Sequence, residues 1–106
     1  MYKAIIIRNY GSSKELKLEE VKINNPKKNE LFIRQTAIGV NYHDVYVRSG
    51  SYRTLQLPGT PGCEATGTIE KIGSNVKNYK IGDKIAYITS EYGAYATHRV
   101  LNKDLA

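Results

Sequence analysis

The feature that most constrains this chain is an alternation of apolar and polar residues with a period of two, cut every few residues by Gly, Asn or Pro. Side chains two apart share one face of a strand, so short runs of this kind between turn residues specify half-buried β-strands. Tyr2–Ile7 is the first run, and Asn9-Tyr10-Gly11-Ser12-Ser13 is turn chemistry. Leu16 and Leu18 then lie on one parity and Val21 and Ile23 on the other. That one-residue slip predicts a β-bulge at Glu19-Glu20, which would keep all four on one core. After the breaker-rich loop Asn24–Asn29, a third strand covers Glu30–Ile38. Further strands are expected at Glu64–Ile72, with Gly67 marking a bend or close approach, at Lys84–Thr89, and at Gly93–Leu101. Only Asn41–Arg48 breaks the rhythm: its apolar and aromatic residues fall at helical spacing, and Gly50 suits the left-handed position after a helix. Many short strands and one short helix point to a small all-β barrel.

With 106 residues the chain is one domain with a single core, too short for two nucleotide-binding halves with a helix after each strand. The 41% hydrophobic share is that of a globular protein. One cysteine excludes an intrachain disulfide and a four-cysteine zinc lobe. No apolar run approaches the ~18 residues of a membrane helix, and the start MYKAIIIRNYG lacks a signal-peptide pattern. A reducing, cytoplasmic setting and no membrane partner are the expectation. The net charge of +6 is spread over single Lys and Arg residues, with Lys27–Lys28 as the adjacent pair. Such dispersion, without a basic stripe, argues against nucleic acid as a partner.

Four segments in order carry a resemblance. Ala37–Tyr52, including Asn41-Tyr42-His43-Asp44-Val45-Tyr46, resembles the active-site segment of the NADPH:quinone oxidoreductases, the zinc-free, zeta-crystallin-like branch of the medium-chain dehydrogenase/reductases. Pro58–Ile69 resembles that family's P-x-x-x-G-x-E-x-x-G segment, Val76–Ile85 its turn ending in Gly-Asp, and Gly93-Ala94-Tyr95-Ala96 its GxYA strand. The resemblance covers nearly the whole chain. It implies a mainly β, GroES-like, partly open barrel with one or two short helices, which forms the substrate domain over residues 1–106. The family's second domain, a Rossmann fold that binds NADPH, has no counterpart here: no GxGxxG occurs. The chain thus reads as an N-terminal fragment, either cut from a longer polypeptide or encoded by a truncated or split gene, and a separate chain carrying the Rossmann domain is a possible partner.

The resemblance also implies roles. In zinc-dependent relatives a cysteine ligand stands where Asn41 is and a His-Glu pair where Cys63-Glu64 is; an amide at 41 leaves too few ligands, so no zinc is expected. The implied reaction is hydride transfer from NADPH to a quinone or another electron-poor carbonyl. Asn41 would lie near the nicotinamide and the substrate carbonyl; helix capping is the plain alternative and is compatible with it. Asp44 would be a buried carboxylate that holds neighbouring donors, or simply a partner of the helix dipole. Tyr46 and Tyr52 would donate to a carbonyl oxygen as charge develops and stack on the ring. Arg48 would bind cofactor at the cleft mouth or form a surface ion pair. Glu64 would anchor polar groups under the cofactor or pair with a base at a strand end. Cys63 reads as a small buried residue, and Tyr2, Tyr10, Tyr79 and Tyr87 as structural. The isolated domain is not expected to turn over. Alternatives left open are a stand-alone GroES-like interaction module and a non-functional remnant of a split gene.

Overall fold

A computed structural model describes residues 1–106. In chain order the strands are β1 (Tyr2–Ile6), β2 (Lys17–Val21), β3 (Glu30–Ile38), β4 (Glu64–Ile72), β5 (Lys84–Ile88) and β6 (His98–Asn102), and α1 (Tyr42–Ser49) lies between β3 and β4. Single 3₁₀ turns cover Ser13–Glu15 and Lys103–Leu105. β1 and β2 form a two-stranded ribbon, and the other four form an antiparallel sheet in the order β5-β4-β3-β6. The ribbon is tied on by bridges Ala4–Ala96 and Ile7–Gly59, and the sheets stay open rather than closing into a barrel. The mainly β, GroES-like, partly open architecture implied by the sequence is the one observed.

The helix lies within one residue of the expected Asn41–Arg48, running from Tyr42 to Ser49. Asn41 is its cap in extended conformation, and Gly50 closes it at φ +93°. Two expectations about strands fail. The β1–β2 ladder runs without a bulge, from Tyr2 opposite Val21 to Ile6 opposite Lys17. The change of parity is absorbed at the strand ends: Leu16 precedes β2, Ile23 follows it, and Leu18 is left 66% exposed. The shifts of register occur instead between β3 and β4, at Phe32/Ile33 and Gln35/Ala37, the second beside Gly67. The last strand is also shorter than the Gly93–Leu101 expected. Tyr92 and Gly93 take positive φ and the Ala96 N–H turns back to the Ala94 carbonyl at 2.8 Å, so a ladder forms only from His98.

Most of the buried apolar side chains fall into two clusters, with Phe32 and Ala4 buried outside them. Leu31, Ile33, Ala65, Ile69, Val76, Tyr87, Ala94 and Leu101 fill one side of the four-stranded sheet. Ile7, Val47, Leu55 and Tyr92 form a smaller group under α1. Each fully buried aliphatic side chain contributes roughly 1.5–3 kcal/mol, so the sheet carries most of the apolar stabilisation.

Candidate active site

The site is built around the start of α1. The Asp44 N–H donates to the Asn41 carbonyl at 3.0 Å, and the Asn41 N–H donates to Asp44 Oδ2 at 3.0 Å. This reciprocal pairing fixes the entry of the chain into the helix. A carboxylate also suits the positive end of a helix. Asp44 is only 4% exposed, and two more donors reach it: the Tyr95 hydroxyl at 2.7 Å to Oδ2 and the Cys63 thiol at 3.4 Å to Oδ1. A buried charge without partners would be costly; here both oxygens are satisfied. Burial, followed by the hydrogen bond and charge of Asp44, pushes the Cys63 thiol up to about 11. The same causes raise the Tyr95 phenol, with Arg48 acting weakly in the other direction. Both groups therefore stay protonated at neutral pH, and Cys63 is a donor to Asp44 rather than a nucleophile.

Above this buried centre lies an aromatic face. Tyr46 and Tyr52 are 42% and 47% exposed, with ring centroids 5.3 Å apart in edge contact. Tyr42 lies 6.1 Å from Tyr46, and His43 lies 5.6 Å from Tyr52. The Tyr52 N–H donates to the Tyr46 carbonyl at 3.1 Å, which fastens the segment following the helix to its last turn. Neither the Tyr46 nor the Tyr52 hydroxyl has a protein partner, nor does the side-chain nitrogen of the exposed Asn41. These three groups are free to bond a molecule outside the protein.

Glu64 opens β4 and is half-buried, with its carboxylate lying over Gly39; a Cβ at 39 would stand 2.2 Å from Glu64 Oε1. It forms no ion pair with a base, so the strand-end pairing does not occur. It lines an apolar groove of about 650 Å³ with Ile38, Gly39, Tyr87, Ile88 and Leu105. Arg48 is likewise without an ion pair, so the surface salt bridge is not formed, and its buried Nε has no hydrogen-bond partner. It sits one helical turn after Asp44 and does not line the groove. Nowhere do three His, Cys, Asp or Glu side chains gather as a metal site would require.

The structure thus gathers Asn41, Asp44, Tyr46 and Tyr52 on α1 and the residues flanking it, with Glu64 along the neighbouring groove. It adds residues to which sequence reasoning gave no role. Tyr95 is one, signalled only by the Gly93–Ala96 motif. Tyr92 is another: buried, at φ +51°, its hydroxyl meets Thr54 Oγ1 and lies 3.3 Å from His43 Nε2. Of the tyrosines read as structural, Tyr10 donates to the Leu55 carbonyl, Tyr79 to that of Ala106 and Tyr87 to Gln35 Oε1, and Tyr2 packs on Phe32 and His98.

Residues 27–104 match the alcohol dehydrogenase GroES-like domain. The chain belongs to that family. Within it, the sequence is 38% identical over 104 residues to a quinone oxidoreductase of Pseudomonas aeruginosa, covering 98% of this chain and 32% of that protein. It is 39% identical over 93 residues to quinone oxidoreductase 1 of Escherichia coli, covering 87% of this chain and 28% of the relative. The fold matches a structure of Escherichia coli quinone oxidoreductase complexed with NADPH at a TM-score of 0.92 and 36% identity, over 97% of this chain and 32% of that one. The GroES-like chain therefore spans about a third of the length of these relatives and corresponds to their N-terminal region. No helix is long and apolar enough to cross a membrane.

Proposed function

We propose that this GroES-like domain supplies the substrate wall of an NADPH-dependent quinone oxidoreductase, and that a nucleotide-binding domain must complete the site before it turns over. The observation that carries this reading is the division of labour at α1. Asp44 is buried and fully bonded, whereas the Asn41 side-chain nitrogen and the Tyr46 and Tyr52 hydroxyls are exposed and without protein partners. A flat acceptor with polar oxygens, such as a quinone or another electron-poor carbonyl, fits such a face: its ring stacks on the phenols and its oxygens accept from them.

The donor set also fits NADPH. The Asn41 amide and the Arg48 guanidinium, whose buried Nε is unpaired, would hold its polar and anionic groups, with Glu64 beneath. NADPH supplies the hydride when bound. The chain's own residues then orient the acceptor and stabilise charge on its oxygen. A preorganised donor aimed at a developing oxyanion lowers the barrier because it needs no reorganisation as charge forms. Tyr46 and Tyr52 fill that role, and Asn41 positions the carbonyl.

The test uses the chain alone and the chain completed with the remaining two-thirds of the Escherichia coli relative. NADPH oxidation is followed with 1,4-benzoquinone. The completed protein is expected to be active and the isolated chain inactive. Activity in the isolated chain, or none in a folded completed protein, overturns the proposal.

A further inference from the structure

We propose that Tyr95 is a positioning residue of this site: through Asp44 it fixes the start of α1 and the direction in which Asn41 presents its amide. The catalytic consequence rests on the function proposed above; the structural link does not.

Asp44 Oδ2 receives two donors, the Asn41 N–H at 3.0 Å and the Tyr95 hydroxyl at 2.7 Å. Asn41 itself is exposed, and the carboxylate is its backbone N–H's acceptor. The orientation of that carboxylate therefore decides the geometry of the cap. Cys63 touches the other oxygen, but at 3.4 Å, and a thiol is a weak donor. Tyr95 is the strong constraint, and it is held on three sides. Its N–H donates to the Pro61 carbonyl at 3.0 Å, and its carbonyl accepts from the Ile5 N–H at 2.9 Å. Its ring lies against Gly62, where a Cβ would come within 2.5 Å of Cδ1, at a φ of +100° that glycine adopts without strain. The hydroxyl thus carries the fixed frame of β1 and the 61–63 segment to the free end of the helix. Tyr95 is half-buried and points its hydroxyl at Asp44, so it acts on Asn41 and not on an acceptor.

The test starts from Tyr95→Phe in the 106-residue chain, which removes one oxygen and keeps the ring. Amide hydrogen exchange at Asn41, read by NMR, is expected to accelerate about tenfold, while Ile33 in β3 is unchanged. Tyr79→Phe, which deletes a hydroxyl bonded to the Ala106 carbonyl, is the control and should leave Asn41 as it was. An unaltered Asn41 rate in Tyr95→Phe overturns the proposal. The second arm uses the completed protein. There Tyr95→Phe is expected to lower kcat about tenfold with KM nearly unchanged, and the double variant Asn41→Ala/Tyr95→Phe should be no slower than Asn41→Ala alone. Losses that simply multiply would mean that Tyr95 acts elsewhere and overturn it. A folded completed protein with no activity removes the functional reading, and the exchange experiment still decides the role of Tyr95.

Discussion

The four-stranded sheet and the region around α1 are held together by different physics. The sheet buries eight apolar side chains in one continuous cluster, and its backbone groups are paired in ladders. The helix buries only Asp44 and Val47 of its eight residues, over a cluster of four. What the helix lacks in apolar contact it gains from directed bonds: Asp44 to three donors, and the Tyr92 hydroxyl to Thr54 and His43. Apolar burial is strong but indifferent to angle. Hydrogen bonds to a buried charge contribute less in total and fix direction. The outward-facing donors therefore stand on the half of the molecule where direction is controlled.

This contrast can be broken from either side. The largest effect is expected from Ile69→Ala, which opens a cavity in the sheet cluster and should cost about 3–4 kcal/mol, seen as a drop in the urea midpoint for the whole fold. Asp44→Ala should cost less, about 2–3 kcal/mol. Its signature should be local, with amide exchange at Asn41–Asp44 rising far more than in β3 and β4. Equal losses of protection in both regions would show that they are one cooperative unit.

A pH titration sharpens the comparison by smaller effects of opposite sign. Cys63 is raised to about 11, so the folded form keeps a proton that the unfolded chain releases near its ordinary value of 9. Its contribution is complete below pH 9 and is lost as the pH climbs through 11. Cys63→Ser should flatten that alkaline decline in thermal stability. His98, packed against the Tyr2 and Phe32 rings on the sheet side, is lowered by burial, with Glu70 partly opposing. Its contribution is present above about 6.5 and falls as acid protonates it. His98→Gln should remove that acid limb and leave the alkaline one.

Much of this was legible in the sequence because it is local. Alternation placed β1, β3, β4 and β5 within a residue or so, and Asn41 and Gly50 marked both ends of α1. The ribbon misled because Leu16 and Ile23 lie just outside β2, so their parity says nothing about a bulge within it. The final strand misled because Gly93–Thr97 carries apolar residues for a different reason: it turns over Gly62 and lies along β1. At the site, residues within α1 and its flanks could be singled out from one stretch of sequence. Tyr95 and Asp44 are 51 positions apart, and Tyr92 and Thr54 are 38 apart. No periodicity reports a bond across such distances; only the folded chain brings them together.

The three donors on Asp44 have a consequence for descent. They come from residues 41, 63 and 95, and the ring of the last rests on the bare backbone of residue 62. Three stretches of the gene that look independent are thus read as one by a single carboxylate. A change at residue 63 or 95 reaches Asn41 without touching it, because both act through Asp44. Exchanging either of these two stretches by itself would leave the Asp44 carboxylate, and with it the cap, with a mismatched donor.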